Sequence, residues 1–367
     1  MPSDLNLCMI VRDEAERLPE FLRAAAGCWD RLVAVDTGSA DATPDLLATA
    51  GAEVHRQAWA DDFARARNES LRHARGGWVL VLDADEYPEP GFAEELRALI
   101  ADPTVGAATI RRADAQRNGI VRYARPLRLF RADPSIRYAC RIHEDASATI
   151  LAVLARDGLR LAALETPVRH IGYVEAEMRG RDKQMRDERL LKMTLADDPS
   201  DLYSRYKLLE LYRFWKTPHK ARPVARACLK LLRAGAEIRP PHIAGDLAML
   251  LHQALFADAA DGGLGFLREI EPRAGHAGHF RLALGGVLEK RKAFAGAAAE
   301  FRRACELAAG DPARDLIETR ALAGLTRLAL ATGDLAAARV HALAASRIAP
   351  EDPEVCLALR FLGGQPG

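Results

Sequence analysis

The chain has 367 residues, 49% of them hydrophobic and 28% charged, and Lys+Arg 52 against Asp+Glu 51 leave a formal net charge of +1. This is globular composition, long enough for about two or three domains, with no excess of either sign to gather nucleic acid or an anionic membrane surface. No stretch approaches ~18 uninterrupted apolar residues and the N-terminus lacks the basic start and apolar length of a secretory leader, so neither a transmembrane segment nor a leader is expected and the expected location is cytoplasmic.

In chain order, LNLCMIV (5–11) reads as a strand and EAERLPEFLRAAAGC (14–28) as a helix with Leu18, Phe21, Leu22 and Ala25 on one face. RLVAVD (31–36) is a second strand. DATPDLLATAG (41–51) is a helix with Pro44 in its first turn and Gly51 as its stop. AEVHRQ (52–57) is a third strand, and DFARARNESLRHARGG (62–77) a helix closed by paired glycines. WVLVLDAD (78–85) is a fourth strand, apolar on both faces and therefore central. PGFAEELRALIAD (90–102) is the next helix and VGAATIRR (105–112) the next strand.

Strand and helix alternating with short connections predict an α/β fold with a mostly parallel sheet covered on both faces. Ligands bind such sheets outside the carboxyl ends of the strands. The ends here are Arg12-Asp13-Glu14, Asp36-Thr37-Gly38-Ser39 and Asp83-Ala84-Asp85, so polar groups from three strands converge on one crevice.

From about residue 174 the strand pattern stops, and Ala, Leu and Arg recur at helical spacing. AFAGAAAEFRRACELA (293–308) repeats in pattern as DLAAARVHALAASRIA (334–349), with Phe294 against Leu335, Ala297 against Ala338 and Ala304 against Ala345. YSRYKLLELYRFWKTPHKARPVARACLKLL (203–232) has the same helix-turn-helix character. The expectation is about four stacked helical hairpins of tetratricopeptide type. Domains are accordingly expected at 1–175, a linking helix at 176–200, and a helical-repeat domain at 201–367. The six cysteines form no CxxC pair and read as small buried hydrophobes in a reducing compartment.

Asp83-Ala84-Asp85 carries the clearest chemistry. Two carboxylates two residues apart on an extended strand would point the same way and hold a hard cation such as Mg²⁺ or Mn²⁺ against a diphosphate. Gly38 permits a tight turn after Asp36, either an ordinary strand-to-helix turn or one that sets the Asp36 carboxylate on the base or ribose of a nucleotide. Arg67 and Asn68 are placed to reach a nucleotide phosphate or to hold the acidic loop. Arg125, Arg128 and Arg131 lie either near the site or on an exposed edge. An aspartate phosphatase is disfavoured, because its Asp-x-Asp follows the first strand and is usually followed by Thr where Tyr87 stands here.

The blocks LCMIVRDEAERL, LVAVDTGSADAT, DDFARARNESL and WVLVLDADEY, in this order and spacing, resemble the family 2 glycosyltransferases of GT-A fold, in the soluble bacterial branch with C-terminal tetratricopeptide-like repeats. The resemblance covers roughly residues 5–175. It implies an inverting, metal-dependent transferase using a nucleotide-sugar donor, a UDP-sugar by family preference, on a peptide, protein or glycan acceptor. It implies donor-binding roles for Val11, Arg12, Glu14, Asp36, Arg67, Asn68, Asp83 and Ala84, and a metal set of Asp83, Asp85 and His170. The segment RLFRADPSIRYACRIHED (128–145) supplies Glu144 as the general base, with Asp145 as runner-up, and VRHIGYVEAEMRGRDKQMRDERLL (168–191) supplies His170. The helical half is expected to recruit the acceptor, a partner protein or a second copy. The alternative is a scaffold whose front domain is inactive.

Overall fold

A computed structural model describes residues 4–115, 121–171, 180–239, 243–259, 261–309 and 314–363. Two compact units divide at Thr194/Leu195. The expected 175/176 boundary falls outside the described residues.

The first unit is α/β. Strands β1 (Leu5–Val11), β2 (Arg31–Asp36), β3 (Glu53–Arg56) and β4 (Trp78–Val81) pair in parallel in the order β3-β2-β1-β4, with helices α1 (Leu18–Ala24), α2 (Thr43–Thr49) and α3 (Phe63–His73) in the crossovers. The sheet continues through β8 (Leu127–Arg131), β6 (Val105–Ala115), β9 (Arg160–His170) and β5 (Glu86–Pro88), with β7 (Val121–Ala124) on β6. In this second half only β6 and β9 run parallel; the other pairings are antiparallel. Helices α4 (Phe92–Ile100) and α5 (Ser147–Asp157) and most of α6 (Gly180–Asp197) complete the unit.

Strand β4 is central, between β1 and β8. Its side chains alternate between two cores. Trp78 and Leu80 pack with Leu7, Met9, Phe21 and Phe92, while Val79 and Val81 pack with Cys8, Val33, Phe130 and Leu154. Helix α3 starts where Asp62 Oδ1 accepts the Arg65 amide at 2.9 Å, an N-cap.

The sequence reading departs from the structure at two strand ends that matter for the site. The apolar run 78–85 leaves the ladder at Val81, and residues 83–86 turn back. The Glu86 amide donates to Asp83 O and the Asp83 amide to Glu86 Oε2, both at 3.0 Å. Asp83 and Asp85 therefore lie on a turn and not on an extended strand, and the same-side argument for them does not hold. Strand β6 also runs past 112 to Ala115, which carries Asp114 into register with His170 on β9.

The second unit is helical. Helices α7 (Leu202–Phe214), α8 (Pro218–Arg233), α9 (Ala244–Leu255), α10 (Leu264–Ala274), α11 (Gly278–Lys290), α12 (Phe294–Leu307), α13 (Arg314–Ala331), α14 (Leu335–Ile348) and α15 (Pro353–Phe361) pack mainly on their successors. Ala297, Ala304, Ala338 and Ala345, matched by the repeat, are all fully buried. Phe301 fills the space left by two glycines. A Cβ on Gly285 of α11 or Gly324 of α13 would come within 2.7 or 2.6 Å of its ring. The six cysteines stand outside any disulfide. Cys8, Cys28 and Cys228 are buried as expected, while Cys140, Cys305 and Cys356 are partly exposed.

Candidate active site

Because β2, β1 and β4 are adjacent and parallel, the segments after them emerge side by side. The first two are stitched together. The Asp13 amide donates to Ser39 Oγ (3.0 Å), the Ala40 amide to Asp13 Oδ1 (2.7 Å), and the Glu14 amide to Thr43 Oγ1 (2.7 Å). Asp36, 4% exposed, accepts both the amide (3.0 Å) and hydroxyl (2.6 Å) of Ser39 on Oδ1, and Gly38 at φ 112° makes the intervening turn. Val11 and Ala84 are core residues, so they face this region with backbone alone. Arg12 is exposed beside Asp13, at 3.7 Å. Glu14 connects this corner to the acidic turn. Burial raises its carboxyl pKa, Arg17 opposes the rise, and the nearby charges of Asp85 and Asp83 add to it.

The acidic turn itself is met by protein cations. Asp83 Oδ1 accepts from Arg67 Nη2 at 2.5 Å, and Oδ2 lies 3.6 Å from Arg128 Nη2. Burial works against the Asp83 charge, but Arg67 and Arg128 outweigh it and hold the carboxyl well below the usual range. Asp85 Oδ2 lies 3.4 Å from His170 Nε2, and the other ring nitrogen is 2.8 Å from Asp114 Oδ1. Burial disfavours a charged ring, yet the two carboxylates together lift the His170 pKa to about 9.

Three residues of this network have no role assigned from the sequence. Glu86, 1% exposed, faces Arg112 (3.4 Å) and Arg128 (4.0 Å). Asp114 takes Arg112 Nε at 2.8 Å as well as His170. The signal for Glu86 was present in DADE, since a third carboxylate that close to two others requires compensation. Asp114 lies beyond the strand expected over 105–112, and Arg112 lies inside it with nothing in the local pattern to name its partner. The three candidate arginines separate. Arg128 joins the site, Arg125 pairs with Glu165, and Arg131 bonds the backbone of Val105 and Pro103 while lying over the Trp78 ring.

Glu144 and Asp145 sit on a loop closed by reciprocal Ala139–Asp145 backbone bonds of 3.0 and 3.1 Å. Glu144 Oε1 accepts from Arg67 Nε at 3.1 Å. Asp145 Oδ1 takes the amide (3.1 Å) and hydroxyl (2.7 Å) of Ser147 at the start of α5. Asn68 brackets the backbone of Tyr138, accepting its amide at 2.8 Å and donating to its carbonyl at 2.9 Å. Arg67 thus meets the acidic turn and the Glu144 loop, while Asn68 bonds the backbone at Tyr138 and does not reach the acidic turn.

The family resemblance implies a divalent cation here, and the residues fit it in part. Asp85 and His170 face one another, and Asp114 orients the imidazole as carboxylates orient metal-binding histidines. Asp83 is turned to the arginines, and no group of three His, Cys, Asp or Glu that could hold a metal is found among the described residues. Of the expected set Asp83, Asp85 and His170, the structure brings Asp85 and His170 together and turns Asp83 to the arginines.

Comparison with known proteins agrees with the fold. Residues 7–149 match the family model "Glycosyl transferase family 2". A TPR repeat-containing protein of Synechococcus elongatus is 41% identical over 208 residues, 56% of this chain and 51% of that protein. The SPbeta prophage-derived glycosyltransferase SunS of Bacillus subtilis is 26% identical over 95 residues, 25% of this chain and 22% of that protein. The chain thus spans about half the length of the first relative and less of the second. Among solved structures, S. aureus TarS 1-349 in complex with UDP-GlcNAc is 15% identical with a TM-score of 0.42, covering 92% of this chain and 90% of that one. Over residues 7–149 the α/β unit of this chain is thus similar to glycosyl transferase family 2.

Proposed function

We propose that the α/β unit is a metal-dependent inverting glycosyltransferase that moves a sugar from a nucleotide diphosphate donor, a UDP-sugar by preference, to a peptide, protein or glycan acceptor. The observation that carries this reading is the charge balance of one connected network. Among the described residues Asp83, Asp85, Glu86, Asp114 and Glu144 are set against Arg67, Arg112, Arg128 and His170, an excess of one negative charge with His170 protonated and of two when it gives up its proton to serve as a ligand. One divalent cation balances that excess, at the strand ends where such sheets bind ligands.

Asp36 is assigned to the nucleoside, with Val11, Arg12, Glu14 and Ala84 around it and Asp83 toward the ribose. Asp85 and His170 would hold Mn²⁺ or Mg²⁺, whose chemistry is to stabilise negative charge on the departing diphosphate. Glu144 takes the proton of the acceptor's nucleophilic atom as that atom bonds to the anomeric carbon and the bond from that carbon to the diphosphate oxygen breaks. Attack opposite the leaving group inverts the centre. Asp145 is the runner-up base; its Oδ1 holds Ser147 at the start of α5, as Glu144 Oε1 is held by Arg67. The helical unit is assigned to acceptor recruitment, a partner protein or a second copy.

The test is UDP release from UDP-glucose and UDP-GlcNAc with Mn²⁺. Release is expected from the full chain and is expected to fall about 100-fold or more in Asp85→Ala. The scaffold reading draws on the name of the Synechococcus relative, a TPR repeat-containing protein. It predicts no release from either sugar nucleotide and no heat of UDP binding with Mn²⁺ in calorimetry.

A further inference from the structure

Two consecutive residues of α3 reach two chain segments remote from each other in sequence. Arg67, 2% exposed, donates through Nη2 to Asp83 on the acidic turn and through Nε to Glu144 on the loop after β8. Its remaining nitrogen, Nη1, is also buried and has no hydrogen-bond partner among the described residues. With its side chain 3% exposed, the guanidinium offers little surface to a ligand and is engaged mainly by the two carboxylates. Asn68 holds the backbone at Tyr138, where the Glu144 loop begins. The loop is tight, with Cys140 and His143 at φ 72° and 54° and the Ala139–Asp145 bonds closing it. Glu144 is therefore held at both levels, its backbone through Asn68 and its carboxylate through Arg67.

We propose that Arg67 is a positioning residue: one planar guanidinium sets the separation and orientation of the donor-side turn and the proton-accepting carboxylate, and Asn68 completes the clasp. The inference rests on the reading above, in which the 83–85 turn serves the donor and Glu144 is the base. The planarity of the group matters. A guanidinium bonds two carboxylates in fixed directions, whereas an ammonium is a point charge on a flexible stem. Burial disfavours the charge of Arg67, but Asp83 and Glu144 together raise its pKa, so it stays cationic while bridging them.

Arg67→Lys tests this because it keeps the charge and removes the geometry. UDP affinity with Mn²⁺, measured by calorimetry, is expected to change less than about threefold, while kcat for UDP release from UDP-glucose or UDP-GlcNAc falls about 30-fold or more, the scale of a misplaced reacting group. A tenfold loss of UDP affinity with kcat retained would assign Arg67 to the diphosphate itself and overturn the proposal, as would unchanged kinetics. A readout independent of turnover is the thermal stability of Asp83→Asn, Glu144→Gln and the double variant. Asp83 and Glu144 are linked through Arg67, so their Tm shifts are expected to depart from additivity by about 3 °C or more. Additive shifts would sink the bridge. If the wild-type chain neither binds UDP nor releases it, the transferase reading falls, and the stability cycle still decides whether Arg67 couples the two segments.

Discussion

The two units bury different things. In the α/β unit the buried polar side chains include Asp36, Arg67, Glu86, Asp114, Asp187 and Glu188. Among the described residues of the helical unit, tyrosines aside, they are the hydroxyls of Ser204, Thr319 and Thr326, of which Thr319 and Thr326 return to the carbonyl four residues back in their own helices. Charge is costly to remove from water, and a buried ion pair is weak evidence of stabilisation. The concentration of charge in one unit therefore marks where the molecule holds groups for chemistry. The other unit is specified by shape, with alanines and glycines setting the helix spacing and aromatic rings filling it.

That contrast is open to direct attack. Phe301→Ala should give the largest effect on stability, a loss of about 3–5 kcal/mol, because a ring seated against Gly285 and Gly324 leaves a cavity that the helices fill poorly. Calorimetric or denaturant unfolding of the full chain measures it, and UDP affinity should be unchanged. A change in UDP affinity would break the division between a chemical unit and a packing unit.

A smaller effect should come from acid. Arg67 and Arg128 hold the Asp83 pKa below its unfolded value despite burial. The unfolded chain takes up that proton first, so the stabilisation is present above pH about 4 and is lost as pH falls toward the folded value. In Asp83→Asn this component is gone, and Tm should decline less steeply between about pH 4.5 and 3 than in the wild type. Equal slopes would mean that Asp83 is not held as its arginine contacts indicate.

The smallest effect is in thiol labelling. Burial pushes the thiols of Cys8, Cys28 and Cys228 up to about 12. With iodoacetamide at pH 8, Cys140 and Cys356 should react well ahead of all three, irrespective of unit. Rapid labelling of Cys228 with Cys8 and Cys28 protected would show that the helical unit opens locally more often than the sheet.

Local pattern made the architecture legible in the sequence. Apolar runs with both faces covered identify β1, β2 and β4, Asp62 marks the start of α3, and the repeated small residues mark the faces that meet between helices. The acidic turn was legible for the same reason, since crowded carboxylates after a buried strand require compensation. What compensates them was not. Arg67 meets Glu144 across 77 positions and His170 meets Asp114 across 56, and nothing in either local stretch names the other. The fates of Arg125, Arg128 and Arg131 show the limit most plainly. They have the same chemistry on neighbouring positions, yet one joins the site, one pairs with Glu165 and one holds backbone, because strand register and sheet order decide which side chain faces which neighbour.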